Sequence, residues 1–290
     1  MKYGIYYAYW ERQWGADYRK YVEKVKRLGF DILELSCAGL KEMTCGEIEE
    51  LKNCAGEYGI ELTGGYGPKP VENISSVNPE IVKNGFQFWK ETFPVLHQLG
   101  IRLVGGGLYS YWPADYSGLV DKEGDLERSI TNIRQLAAMA AEYGITLGME
   151  VLNRHEGYLI NSAEECVRYV DAVGADNVKI MLDTYHMNME EDDFVGAILT
   201  AGKRLGHFHV GENNRKLPGQ GHLIPWERIG EALHTVGYEG PVVMEPFVIH
   251  GGEVGRDIRI WRDLKPDCSE EVLDREAAES VRYLRTVFEH

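Results

Sequence analysis

Short apolar runs alternate along this chain with longer stretches in which apolar residues recur every three or four positions. The short runs lie at residues 4–8, 32–35, 60–63, 102–105, 146–150, 178–183, 205–210 and 242–245. Their length and apolar character predict strands buried on both faces. The longer stretches cover residues 17–28, 47–58, 79–99, 125–143, 163–173, 193–201, 226–236 and 269–288. In the first of these, Tyr21, Val22, Val25 and Leu28 fall on one face of a helix. At four joints a helical stretch ends, Gly follows, and an apolar strand begins: residues 28–30, 58–60, 99–101 and 143–145. Gly just past a helix end takes the left-handed conformation that turns the chain back toward a sheet.

Eight strand–helix units at this spacing predict an α/β chain folded as a (β/α)₈ TIM barrel, one domain over residues 1–290 with a C-terminal helix. The rival architecture, an open doubly wound sheet, usually carries a Gly-rich first turn. Here the first turn, residues 8–17, holds Trp10, Trp14 and a single Gly, which gives no dinucleotide fingerprint. Gly105, Gly106 and Gly107 sit at a strand end. They fit a phosphate cradle, a close approach of backbone to ligand, or simple loop freedom.

Composition narrows the partners. Of the 290 residues 44% are apolar, enough for a large core. The net charge is -15, from 31 Lys and Arg against 46 Asp and Glu. A surface of that sign repels nucleic acid and anionic membranes but admits a small neutral substrate or a cation. No apolar run approaches the ~18 residues that span a bilayer. Five cysteines occur, none in a CxxC pair, and the opening MKYGIYYAYW reads as a strand rather than a signal peptide. A reducing, cytoplasmic setting is expected, with no thiolate metal site.

The chemistry gathers at strand ends. The last four predicted strands end in Glu150, Asp183, His209 and Glu245. In a barrel, C-terminal strand ends face the active-site mouth. Any one of these is equally an ordinary polar strand end. Four in consecutive strands form a cluster of like charge that is costly without a cation. Three carboxylates and one imidazole suit Mn²⁺, Mg²⁺ or Co²⁺. Glu156, His186 and Arg215 follow these strands in their loops and offer groups for sugar hydroxyls. Tyr6, Tyr7, Trp10, Trp14 and residues 109–112 crowd the early loops with aromatic rings. The C–H face of a sugar stacks on such rings, although aromatic clusters also serve as core.

At these residues the chain resembles the D-tagatose 3-epimerase / D-psicose (D-allulose) 3-epimerase family of xylose-isomerase-like barrel enzymes, over essentially its whole length. The matching segments are GlyIleTyrTyrAlaTyrTrp at 4–10, GlyGlyGlyLeuTyrSerTyrTrpPro at 105–113, GluValLeuAsnArg at 150–154, MetLeuAspThrTyrHisMetAsn at 181–188, GlyHisPheHisValGlyGluAsnAsnArg at 206–215 and ValMetGluProPhe at 243–247. The resemblance implies that Glu150, Asp183, His209 and Glu245 hold a divalent metal, Mn²⁺ first, with Co²⁺ and Mg²⁺ as alternatives. It implies that Glu150 and Glu245 are the catalytic carboxylates. Glu156, His186 and Arg215 would hold the ketose near its carbonyl, and Tyr6, Trp14, Gly107, Trp112 and Phe247 would line the sugar pocket. A homodimer or homotetramer is implied as well. Two segments depart from the pattern. Residues 64–68 vary within the family, so Tyr66 is a candidate for tuning substrate preference, and the loop at 219–225 is a residue longer than in some relatives.

The implied reaction interconverts D-fructose and D-psicose, or D-tagatose and D-sorbose, through a cis-enediolate. Inverting C3 needs a base on each face and a cation to stabilise the charge between them, with no redox cofactor. An aldose–ketose isomerase would use the same metal cage to move a hydrogen between C1 and C2. A DNA-repair endonuclease on the related barrel would need more His ligands and a basic groove, which the charge opposes. A sugar-binding protein would not need two carboxylates facing one carbon.

Overall fold

The computed structural model describes residues 1–289. Eight strands, β1 (Lys2–Tyr6), β2 (Ile32–Ser36), β3 (Glu61–Gly65), β4 (Leu103–Gly106), β5 (Thr146–Glu150), β6 (Val178–Asp183), β7 (Leu205–Val210) and β8 (Pro241–Met244), close in sequence order into a parallel barrel. The ring is sealed by β1 and β8, where Lys2 to Ile5 pair with Pro241 to Met244. Around it run α1 (Arg19–Leu28), α2 (Cys45–Tyr58), α3 (Pro79–Leu99), α4 (Lys122–Glu142), α5 (Ala163–Val173), α6 (Thr184–Glu190), α7 (Phe194–Ala201), α8 (Trp226–Thr235), α9 (Gly252–Asp257) and α10 (Glu270–Phe288). The expected (β/α)₈ architecture is the observed one.

Local signals explain several helix limits. Thr44 caps α2 in a reciprocal capping box with Glu47, and Ser162 caps α5 through the Glu165 N–H. Gly29, Gly59 and Gly100 close their helices in the left-handed region, as expected from the joints. The first strand departs from expectation. It ends at Tyr6, and Tyr7 to Trp10 wind into a 3₁₀ turn that buries Tyr7 and Tyr9. An unbroken apolar run looks the same whether the chain stays extended or turns within the core.

Side chains alternate between the barrel interior and the helical layer. Two strand-end glycines are required by crowding. A Cβ on Gly105 would stand 2.4 Å from Met181 Sδ, and one on Gly106, at φ 129°, would stand 2.1 Å from the Tyr66 carbonyl oxygen. Gly105 thus leaves room for Met181 and His207 inside the barrel, and Gly106 lets the end of β4 pass close to the backbone that follows β3.

Candidate active site

Glu150, Asp183, His209 and Glu245 converge at the C-terminal mouth of the barrel. Each offers one ligand atom, and these atoms lie within 4.8 Å of one another. Glu150, Asp183 and His209 belong to β5, β6 and β7. Glu245 stands one residue past β8, where its N–H still donates to the Val210 carbonyl (3.2 Å) and so continues the ladder. Asp183 also caps α6: its Oδ1 accepts the Tyr185 N–H at 2.8 Å, which leaves Oδ2 for the site. His209 sends Nε2 to Glu34 Oε1 at 2.7 Å, while its buried Nδ1 has no hydrogen-bond partner and lies 3.7 Å from Glu245 Oε2.

A second tier surrounds this floor. The Asn153 backbone N–H donates to His186 Nδ1 (3.1 Å), which fixes the proton on Nε2. That nitrogen lies 3.5 Å from Glu150 Oε1 and 3.9 Å from Asp183 Oδ2. Arg215 adopts φ 64°, outside the usual range for a side-chain-bearing residue. The turn carries its guanidinium to 3.7 Å from the centre of the Tyr185 ring and 5.4 Å from that of Phe247. From there it reaches Glu245 Oε2 (2.8 Å), Asp183 Oδ2 (3.4 Å) and Glu156 Oε1 (3.4 Å). Glu156 also accepts from Trp112 Nε1 (2.9 Å) and Asn153 Nδ2 (3.2 Å).

Electrostatics follow from burial and these contacts. Burial pushes the Glu150 carboxyl above its usual range; His186 opposes the shift and Glu245 adds to it. Burial also works against charge on Glu156, but His186, Arg215 and the two N–H donors outweigh it and hold the group at about 2. At Glu34 burial is likewise outweighed, by His209 and His207, so that carboxyl sits well below the ordinary range.

The donor set fits a divalent cation. Three carboxylates and one imidazole share a few ångströms, no thiol is among them, and the partnerless His209 Nδ1 faces the carboxylates. Hard, oxygen-rich coordination with a single nitrogen is the preference of Mn²⁺, Mg²⁺ and Co²⁺. Above the floor opens a cavity of about 490 Å³ whose walls include Tyr6, Trp14, Tyr66, Gly107, Trp112 and Phe247. That volume suits a small ligand. Trp14 Nε1 donates to Asp257 Oδ2 (2.8 Å), tying the wall to the end of α9. Beyond Trp112, Glu156 and Arg215 lies an outer chamber of about 470 Å³ walled by residues of the 257–264 segment.

The structure therefore brings Glu150, Asp183, His209, Glu245, Glu156, His186 and Arg215 together, with Tyr6, Trp14, Gly107, Trp112 and Phe247 around them. Tyr66, expected in a variable loop, stacks on Phe88 at 4.4 Å and borders the cavity. Sequence reasoning missed Glu34, His207, Thr63, Asn153 and Tyr185. Period-two alternation was the signal available for His207, which stands two residues before His209 on β7, and a lone Glu in the otherwise apolar β2 run was the one available for Glu34; neither was used. Asn153, in the loop after β5, and Tyr185, in the first turn of α6 beneath Arg215, gave no comparable signal, because their roles depend on where the chain folds back over the site.

A closed parallel barrel with a carboxylate–imidazole floor defines the class. The chain belongs to the xylose isomerase-like TIM barrel family, whose model matches residues 22–284. Relatives that align over nearly the whole chain include proteins named D-psicose 3-epimerase. It is 51% identical over 290 residues to a D-psicose 3-epimerase of Enterocloster bolteae, covering 99% of this chain and 96% of the relative. It is 53% identical over 289 residues to the D-psicose 3-epimerase of Ruminiclostridium cellulolyticum, covering 100% and 98%. The crystal structure of D-psicose 3-epimerase with D-tagatose from Clostridium cellulolyticum H10 superposes with a TM-score of 0.98 at 52% identity, covering 99% of each chain.

Proposed function

We propose that this chain is a metal-dependent ketose 3-epimerase that interconverts D-fructose and D-psicose, or D-tagatose and D-sorbose. The observation that carries the reading is the pairing of Glu150 and Glu245. They arise from opposite parts of the ring, β5 and the end of β8, yet meet at one ion-sized site beneath a sugar-sized cavity. Full-length similarity to proteins named D-psicose 3-epimerase supports it.

Glu150, Asp183, His209 and Glu245 would hold the ion, Mn²⁺ by preference, with Co²⁺ or Mg²⁺ as alternatives. Bound there, it would supply positive charge that stabilises the enediolate. One carboxylate removes the C3 proton from one face. The other, carrying a proton, returns it to the opposite face of the cis-enediolate. His186, with Nε2–H toward Glu150, and Arg215, with a partnerless buried Nε, would donate to substrate oxygens. Glu156 would hold Arg215 and Trp112 in place. Tyr6, Trp14, Gly107, Trp112 and Phe247 would exclude water and pack against the sugar carbons. The cysteines are unpaired and no described helix is long and apolar enough to cross a membrane, which fits action in the cytoplasm on a free ketose.

Metal-stripped protein incubated with D-fructose, with and without Mn²⁺, tests the reading by chromatography of the products. D-psicose formed only with metal is the expected result. An aldose would reassign the site to C1–C2 isomerisation, and no reaction of any ketohexose with any divalent metal would overturn the epimerase reading.

A further inference from the structure

Beneath the four converging residues lies a carboxylate that the proposed chemistry does not use. Glu34 projects inward from β2 and is fully buried. Its Oε1 meets His209 Nε2 at 2.7 Å, and its Oε2 meets His207 Nε2 at 2.9 Å and accepts the Thr63 hydroxyl at 2.9 Å. No Lys or Arg pairs with it among the described residues. Its oxygens are occupied by three donors from β3 and β7, so the cluster is a hydrogen-bonded network rather than an ion cage. An ionised carboxylate in a barrel core is expensive, and an apolar side chain would fill the same space at less cost. The contact to His209 gives it a purpose. A neutral imidazole has one N–H. A carboxylate acceptor at Nε2 draws that proton to itself and leaves the Nδ1 lone pair for the other side of the ring, where Glu150, Asp183 and Glu245 gather. Nδ1 is the atom left without a partner.

We infer that Glu34 is the positioning residue for His209, fixing its ring orientation and its tautomer so that Nδ1 faces the divalent cation. The inference rests on the reading of Glu150, Asp183, His209 and Glu245 as a metal site. Nothing bonded to Glu34 except His209 belongs to that set, so its effect is transmitted through one ring.

Equilibrium dialysis of metal-stripped protein against Mn²⁺ tests it, with Glu34→Gln, Glu34→Leu and Thr63→Val beside the unaltered chain. Both Glu34 variants are expected to bind Mn²⁺ about 10- to 100-fold more weakly. Thr63→Val, which removes a bond to Oε2 but leaves Oε1 on His209, is expected to stay within about threefold, well short of that range. Mn²⁺ binding by Glu34→Leu as tight as that of the unaltered chain would overturn the role of Glu34 while leaving the metal reading intact. An equal loss in Thr63→Val would overturn it too, as a packing effect. No Mn²⁺ binding by the unaltered chain would overturn the metal reading and the inference together. Should the Glu34 variants not fold, ¹⁵N-histidine NMR of the unaltered protein saturated with Mg²⁺ decides: a proton on Nε2 and none on Nδ1 of His209 is expected, and the reverse would refute it.

Discussion

Glu150 and Glu245 are alike in chemistry and come from separate strands, so on the two-base scheme proposed above removing either one would leave a site able to do half a reaction. A single remaining base takes the C3 proton of the epimer that faces it and returns it to the same face. In D₂O, Glu150→Gln and Glu245→Gln are each expected to lose at least about 10²-fold in epimerisation. Each is expected to wash deuterium into C3 of one epimer only, and the two variants to choose different epimers. NMR of recovered D-fructose and D-psicose reads this, and exchange of both epimers by one variant would defeat the two-base scheme. Glu156 carries a prediction of a different kind. Its folded carboxyl sits at about 2, against about 4.3 in an unfolded chain. A depressed carboxyl contributes stability that is fully present above about pH 5 and is lost as pH falls through 4 toward 2, on the order of 3 kcal/mol in all. Urea unfolding of the unaltered chain and Glu156→Gln should therefore differ most at pH 7 and least near pH 3. A gap independent of pH would show that Arg215 and Trp112 do not hold the charge. Among single residues, the four read from the strand pattern sit at strand ends, where position alone aims a side chain at the mouth, and Glu156, His186 and Arg215 were read only as polar residues in the segments that follow. Asn153 escaped because its backbone N–H acts on His186, and a backbone group has no sequence signature.

At the scale of elements, all eight strands were legible because each is an apolar run bounded by a helical stretch, and β5, β6 and β7 match to the residue. The short helices were not. α6 starts directly on Asp183, whose carboxylate caps it, so one residue ends a strand, opens a helix and faces the site. α9 begins at Gly252, directly after Gly251, both at positive φ, in a stretch too short for a helical period to register. The glycine run at the end of β4 was legible as special but not as to why. Gly106 combines φ 129° with a Cβ position 2.1 Å from a backbone oxygen that cannot move aside cheaply. Gly106→Ala is expected to cost about 2 kcal/mol or more in urea unfolding and to lower turnover, because Tyr66 borders the cavity. Gly118, with open space around its Cβ and no positive φ, is the control. Gly118→Ala is expected within about 0.5 kcal/mol of the unaltered chain. Equal effects would mean that the turn at β4 tolerates a side chain.

At the scale of the whole molecule, the closed barrel holds three carboxylates in one place at the mouth, and on the metal-site reading proposed above that arrangement couples stability to a bound cation. Folding gathers Glu150, Asp183 and Glu245 from distant parts of the sequence, and Arg215, paired with Asp183 and Glu245, offsets part of the repulsion among them. An ion that binds only the gathered set stabilises the fold by about 2.7 kcal/mol at a hundred times its dissociation constant, and by more as its concentration rises. The melting temperature is therefore expected to climb with the logarithm of Mn²⁺ concentration beyond saturation and to fall on chelation. Na⁺ at equal ionic strength separates this from screening, since the net charge of -15 is relieved by any salt. A melting temperature that follows ionic strength alone would place the four residues outside metal binding. A rise specific to divalent ions, and lost in Asp183→Asn, would tie the stability of the barrel to the ion at its mouth.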